Sequence, residues 1–229
     1  MFEKPERSRF EGPWVADYQW QRATGTASRL ILMLHGYRQT GPYLLEALRP
    51  AFSPELLKSC HLLAPNAPFP IPDTVKDPAD RQRVGLGKRI GFAWYFRDSA
   101  TGDFYIDPGI PSRFLATLIQ TLGLADLPKT VIGFSQGGYV SPYVIAGLSR
   151  VDQFVCISSH IPSEAFAPDR PLRIDTIHGD QDEVVPLAEA RASVDDCVRR
   201  GRPAKLHVLP GVGHRITPEV IRILAGLLS

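Results

Sequence analysis

The chain is poor in cysteine. Cys60, Cys156 and Cys197 are its only three, an odd number with no Cys-X-X-Cys pair and no metal-ligand spacing. That excludes a disulfide framework as the source of stability and points to a reducing compartment. Charge of one sign is lacking too: 26 Lys and Arg stand against 24 Asp and Glu, a net charge of +2. Nucleic-acid binding needs a basic excess, so no nucleic acid is expected as a partner, and an anionic membrane surface has little to attract. No apolar run reaches the roughly 20 residues of a transmembrane helix. The segment Met1 to Arg9 is charged, contains Pro5 and lacks the apolar core of a signal peptide. These absences together predict a cytoplasmic protein. His-Glu-X-X-His, Gly-X-Gly-X-X-Gly and the P-loop are absent as well, so neither a metal nor a cofactor is expected.

What is present suits one α/β domain over residues 1–229. At 44% hydrophobic residues, a chain of this length can bury about 70% of its unfolded surface. Short, almost wholly apolar runs recur at 30–34, 61–64, 130–134, 153–157, 172–177 and 204–209. Strands of that kind belong to a parallel sheet covered by helices on both faces. Arg9 to Arg22 holds aromatic residues and could add one or two antiparallel strands at an edge. Between the runs, Val140, Tyr143, Val144, Gly147 and Leu148 keep helical spacing, as do Leu187, Ala190, Arg191, Val194 and Val198. Pro142 falls inside the first of these helices, where it should remove a backbone bond and cause a kink. Near the end, Thr217 reads as an N-cap, Pro218 as the first helical residue and Glu219 as a first-turn acid. Arg199, Arg200 and Arg202 read as a solvated helix end. The stretch 65–111 differs from the rest. Its Pro65, Pro68, Pro70 and Pro72 predict irregular structure, and a long irregular connection at the carboxyl edge of a sheet is expected to flank the active site.

One motif carries chemistry. In Val131-Ile132-Gly133-Phe134-Ser135-Gln136-Gly137-Gly138 a serine stands between two glycines, just after an apolar strand. A strand entering a sharp turn and then a helix would hold Ser135 in a strained, exposed conformation, with glycine needed where side chains would clash. A serine hydroxyl needs a base, and the base needs an acid to fix its tautomer. On this topology the acid and the histidine follow the serine in that order, each after a later strand. The run 172–177 leads into His178-Gly179-Asp180-Gln181-Asp182-Glu183, and the last run leads into Pro210-Gly211-Val212-Gly213-His214. His214 is therefore the candidate base, against the plainer reading of a loop histidine. Asp182 is preferred as the acid because it stands just before Val184-Val185-Pro186. Asp180 reads better as a cap of its own turn, and Glu183 as solvated.

The remaining roles follow from what the reaction needs. A tetrahedral intermediate requires an oxyanion hole, each donor of which contributes about 3 kcal/mol. The backbone N–H of Gln136 and that of Tyr37, in the loop after the first central run, are the candidates. Trp94, Phe96 and Phe69 offer apolar area for a substrate wall, although any of them could be core. His160 follows a strand at the same edge and is a further candidate for the pocket. His35 reads as ordering its own loop, and His61, His178 and His207 as structural.

These motifs resemble the α/β-hydrolases of the phospholipase/carboxylesterase family, which includes bacterial carboxylesterases and acyl-protein thioesterases. The likeness runs from about Leu30 to the end. It rests on Leu34-His35-Gly36, Ala64-Pro65-Asn66-Ala67-Pro68, Ala93-Trp94-Tyr95, Gly133-Phe134-Ser135-Gln136-Gly137-Gly138, His178-Gly179-Asp180-Gln181-Asp182 and Gly213-His214. The resemblance implies the α/β-hydrolase fold, a mostly parallel sheet with no large cap domain. It implies Ser135, Asp182 and His214 as triad, Tyr37 and Gln136 as oxyanion donors, and no cofactor. It also implies a small-molecule ester or thioester as substrate: a carboxylesterase first, and an acyl-protein or acyl-CoA thioesterase or lysophospholipase as the alternative. A binding protein on the same scaffold is the third reading. The chain departs from the family at Arg38-Gln39, where a small and acidic pair is usual, and at Phe96, where Asp usually follows Trp-Tyr. Whether two copies form a homodimer stays open.

Overall fold

The computed structural model describes residues 16–72, 90–98, 100–167 and 171–229. Among them the strands are β1 (Tyr18–Gln21), β2 (Arg29–Leu34), β3 (Cys60–Pro65), β4 (Phe69–Pro72), β5 (Ile90–Ala93), β6 (Lys129–Phe134), β7 (Val151–Ile157), β8 (Arg173–Gly179) and β9 (Ala204–Leu209). The helices are α1 (Gly41–Leu48), α2 (Pro54–Ser59), α3 (Gly109–Thr121), α4 (Gln136–Ala146), α5 (Leu187–Arg199) and α6 (Pro218–Leu228). The central sheet runs β1-β3-β2-β6-β7-β8-β9. Every neighbouring pair in it is parallel except β1 with β3. Of the one or two antiparallel edge strands expected within Arg9 to Arg22, β1 is one; residues 1–15 lie outside the described residues.

Alternation of side chains along the strands builds two cores, one on each face. Leu30, Leu32 and Leu34 of β2 pack with Val131, Phe154 and Cys156, beneath Phe114 and Leu115 of α3 and Val140 and Val144 of α4. Ile31 and Met33 point the other way, toward Ile132, Val155 and Ile177, under Leu44, Leu45 and Leu48 of α1 and Val220 and Leu224 of α6. All five residues from Leu30 to Leu34 are fully buried. Each such side chain contributes about 1.5–3 kcal/mol, which explains why β2 is apolar on both faces. All three cysteines are free and buried.

The sheet places the functional loops. The chain leaves β2 for one side and β6 lies on the other, so the order reverses between them. The ends of β2, β6, β8 and β9 share one carboxyl edge, where open α/β sheets bind ligands. Among the described residues no helix is long and apolar enough to cross a membrane.

Two sequence expectations need correction here. The proline-rich stretch is not wholly irregular, because Phe69–Pro72 pairs with Ile90–Ala93 in an antiparallel ladder. Pro70 and Pro72 are two residues apart, so both missing N–H groups fall on the same edge of that strand, and the other edge stays free to pair. The rest of the expected 65–111 segment at 73–89 and 99 lies outside the described residues. Arg202 is not solvated: it is buried, donates to the Ala167 carbonyl at 2.8 Å and lies over the Phe166 ring. Only Arg199 and Arg200 behave as a solvated helix end, both paired with Asp196. As expected, Pro142 lies inside α4, which runs on to Ala146. The missing N–H removes one helical bond, but burial of Val144 and Ile145 beyond it holds the last turn.

Candidate active site

Ser135 sits between β6 and α4 with φ 53° and ψ −118°. A non-glycine residue at positive φ is strained and persists only where its surroundings impose it. The neighbouring glycines show how they do so. A Cβ on Gly133 would lie 2.5 Å from the Gly137 carbonyl oxygen, and one on Gly137 would lie 2.0 Å from the Leu34 carbonyl oxygen. The elbow therefore presses its backbone directly against β2.

The structure brings the three sequence candidates into one hydrogen-bonded row. Ser135 Oγ–H donates to His214 Nε2 at 2.9 Å. His214 Nδ1–H donates to the carboxylate of Asp182, 2.9 Å from Oδ2 and 3.0 Å from Oδ1. That carboxylate is an acceptor only, so it fixes the proton on Nδ1 and leaves the Nε2 lone pair facing the serine. Asp182 is itself held: its Oδ1 accepts from the N–H groups of Val184 and Val185 at 2.9 and 2.8 Å. His178, buried beneath, donates from Nε2 to the Val185 carbonyl at 2.9 Å and so pins the same loop. Asp180 does not cap its own turn as expected: its Oδ1 accepts from Gly211 N–H at 2.7 Å, which ties it to the loop after β9.

The oxyanion candidates are arranged by backbone pairing. Gln39 Oε1 takes the Gly36 N–H at 2.9 Å. Arg38 N–H donates to Phe92, and Phe92 N–H donates to Gln39, which ties the loop to β5. Arg38 adopts φ 61° there. Among the described residues the N–H groups of Tyr37 and Gln136 have no hydrogen-bond partner. The Gln136 N–H is one of the orphan donors that every helix N-terminus leaves. His35 supports this loop, as its position suggested. Burial pushes its pKa down to about 4, so it is neutral near pH 7. Its Nδ1–H donates to the Gly36 carbonyl at 2.7 Å, and its Nε2 accepts from Ala67 N–H at 3.0 Å.

The expected substrate wall is only partly there. Trp94 is fully buried in the core, and its indole N–H donates to the His35 carbonyl at 2.8 Å. It braces the loop that carries the oxyanion candidate Tyr37 and is sealed from the surface. Phe96 lines a cavity of about 500 Å³ with Tyr37, Tyr95, Arg97, Tyr105 and Gln136. Phe69 packs against Phe96 at a tilt, ring centroids 5.8 Å apart. His160 lies against the Tyr139 ring at 4.9 Å and near Glu189 at 3.6 Å, and lines neither cavity described here.

Two features escaped the sequence reading. The side chain of Gln136 accepts from Trp94 N–H and donates to the Tyr95 carbonyl, both at 2.9 Å, and so fastens the aromatic segment to the elbow. A larger cavity, about 780 Å³, opens at Ser135 and His214 and runs between α1 and α6. Its walls include Tyr43, Ala47 and Pro50 on one side and Pro218, Ile221 and Ala225 on the other. The available signal was spacing: each set recurs at three or four residues, which marks one helix face. Among the described residues no group of three or more His, Cys, Asp or Glu is placed to hold a metal ion.

Comparison with known proteins gives the family and the fold. A family model described as Serine hydrolase (FSH1) matches residues 26–216. A Saccharomyces cerevisiae protein named family of serine hydrolases 2 is 25% identical over 209 residues, 77% of this chain and 87% of that one. Acyl-protein thioesterase 1 of Mycosarcoma maydis is 28% identical over 108 residues, 42% of this chain and 45% of that protein. That match therefore spans less than half of the relative. The crystal structure of a carboxylesterase from Mesorhizobium loti superposes with a TM-score of 0.68 at 18% identity, covering 97% of this chain and 99% of that one. At that identity the likeness speaks to the fold, which is the α/β-hydrolase fold expected from the motifs.

Proposed function

Because this chain belongs to the Serine hydrolase (FSH1) family, we propose that it hydrolyses carboxylic esters through an acyl-enzyme on Ser135. The observation that carries the proposal is the unbroken row from Asp182 through His214 to Ser135, with contacts of 2.9 Å at both joints. Ser135 Oγ attacks the ester carbonyl carbon while its proton moves to His214 Nε2. The carbonyl π electrons collect on oxygen, which the N–H groups of Tyr37 and Gln136 stabilise. On collapse the bond to the leaving oxygen breaks, and Nε2 gives its proton to the departing alcohol. Water then attacks the acyl carbon and gives a proton to Nε2. The second collapse breaks the bond to Oγ, which takes that proton back, and carboxylic acid leaves. Asp182 stabilises the imidazolium throughout and is not itself protonated.

A second reading keeps the same residues and exchanges the ester for a thioester. The Mycosarcoma maydis relative named as an acyl-protein thioesterase favours it. Matched esters and thioesters of one acyl chain separate the two by the ratio of kcat/KM. Ser135→Ala is the test of both: it should abolish turnover and labelling by a fluorophosphonate probe while the far-UV circular dichroism is unchanged. Turnover at the native rate in that variant would refute the assignment.

A further inference from the structure

We propose, resting on the reading of Ser135 as nucleophile, that the groove between α1 and α6 receives the leaving alcohol or thiol and selects one that carries an anion. The groove is built from two facing helix stripes. Tyr43 and Ala47 of α1, with Pro50 in the turn that follows it, form one; Pro218, Ile221, Arg222 and Ala225 form the other, at the i, i+3, i+4, i+7 spacing of a single helix face. From Pro218 to Ala225 the helix rises about 10 Å, enough for an arm of several methylenes. Val220 and Leu224, on the other face of α6, belong to the core and hold the stripe in place.

The side of the scissile bond follows from proton transfer. The leaving atom must lie within reach of His214 Nε2, because that nitrogen protonates it. His214 lines the α1–α6 groove, and so do the next residues of its loop, Arg215, Ile216 and Thr217. Tyr37 lines both cavities, whereas Gln136, the other oxyanion candidate, lines only the smaller one at Phe96, which His214 does not reach. The groove is thus the leaving-group side, and the Phe96 cavity takes the acyl side.

The charge follows from the lining. The charged residues on the groove wall are Arg215 and Arg222, and no acidic residue lines it among those described. Glu219 lies close by. Its carboxyl is held below the usual range by a Thr217 hydrogen bond first, with the charges of Arg222 and Arg215 adding to it. Two guanidinium groups against one carboxylate leave a net positive rim. The wall behind that rim is apolar, so a flexible carbon arm ending in a carboxylate or phosphate matches both parts.

The test compares two esters that differ by one charge: 6-(butyryloxy)hexanoate and 6-(butyryloxy)hexanamide, followed by butyrate release in NMR. The corresponding S-butyryl pair, followed by thiol release, covers the thioester reading. With the intact chain at low salt, kcat/KM for the anion should exceed that for the amide about fivefold or more, carried by KM. The ratio should shrink in 0.5 M salt, where screening is strong. It should fall to about one in the double variant Arg215→Leu, Arg222→Leu, and below one in Arg222→Glu. A wild-type ratio of one, with Ser135 still labelled by fluorophosphonate and both esters turned over, overturns the groove proposal and leaves the nucleophile standing. A ratio that survives the double variant overturns it equally. Absence of both labelling and turnover removes the nucleophile reading and the proposal with it.

Discussion

Acidification should loosen the loop that carries Tyr37, the proposed oxyanion donor, through His35. This imidazole is fully buried, and its two nitrogens hold Gly36 and Ala67. Its pKa is pushed down from 6.5 to about 4, chiefly by burial. The folded protein therefore refuses a proton that the unfolded chain accepts between those values. Because the unfolded state binds more protons in that window, stability falls as pH drops from 6.5 toward 4, and it is little affected by His35 above pH 7. For pKa values of 6.5 and about 4, lowering the pH from 7 to 5 removes about 2 kcal/mol. Urea unfolding at the two pH values measures this directly. Other histidines titrate in the same range, so the decisive quantity is the difference between wild type and His35→Gln. Glutamine keeps an acceptor for Ala67 N–H and has no proton to gain. The variant should be less stable at pH 7 and lose about 2 kcal/mol less than wild type on going to pH 5. Parallel losses in the two proteins would refute the argument, since they would mean that His35 titrates alike folded and unfolded.

The acid can be tested without disturbing its loop. In Asp182→Asn the amide oxygen can keep the Val184 and Val185 N–H groups, which the native Oδ1 accepts. The NH2 then faces Nδ1 and forces the wrong tautomer, so kcat should fall about 10⁴-fold with Tm nearly unchanged. Retained kcat would show that Asp182 has no part in the chemistry. Gly137→Ala places a Cβ 2.0 Å from one backbone oxygen and 2.7 Å from another. A loss of about 4 kcal/mol or more, read as a Tm drop of about 10 °C, is expected; a native Tm contradicts the close approach of α4 to β2. Gly226→Ala is the opposite case, since a Cβ there meets open space on α6. It should raise stability by about 0.5–1 kcal/mol in urea unfolding, and destabilisation would contradict that geometry.

The parts of the site that were legible in the sequence are those fixed by chain order and backbone geometry. Ser135 was marked by its glycines, because Gly133 and Gly137 leave no room for a Cβ against a strand. Asp182 and His214 were marked by standing after the right apolar runs, and the choice of Asp182 over Asp180 followed from its place just before Val184-Val185-Pro186, where the next helix was expected to start. The parallel sheet was legible for the same reason: strands buried on both faces must be continuously apolar. What was not legible depends on which way a side chain points in three dimensions. Trp94 and Phe96 are two residues apart in one aromatic stretch, yet one is sealed under His35 and the other faces a cavity. Arg202 looked like its neighbours Arg199 and Arg200 until Phe166 and Ala167 came to cover it. The α1–α6 groove is the clearest case. Its residues come from segments more than 160 positions apart, and on α6 a core stripe and a groove stripe share one short helix, with Ile221 at their boundary. A sequence pattern reports that a helix has an apolar face, but a helix with two apolar faces reads as one broad face. The second partner that splits it, here α1, is visible only once the sheet has brought the two helices together.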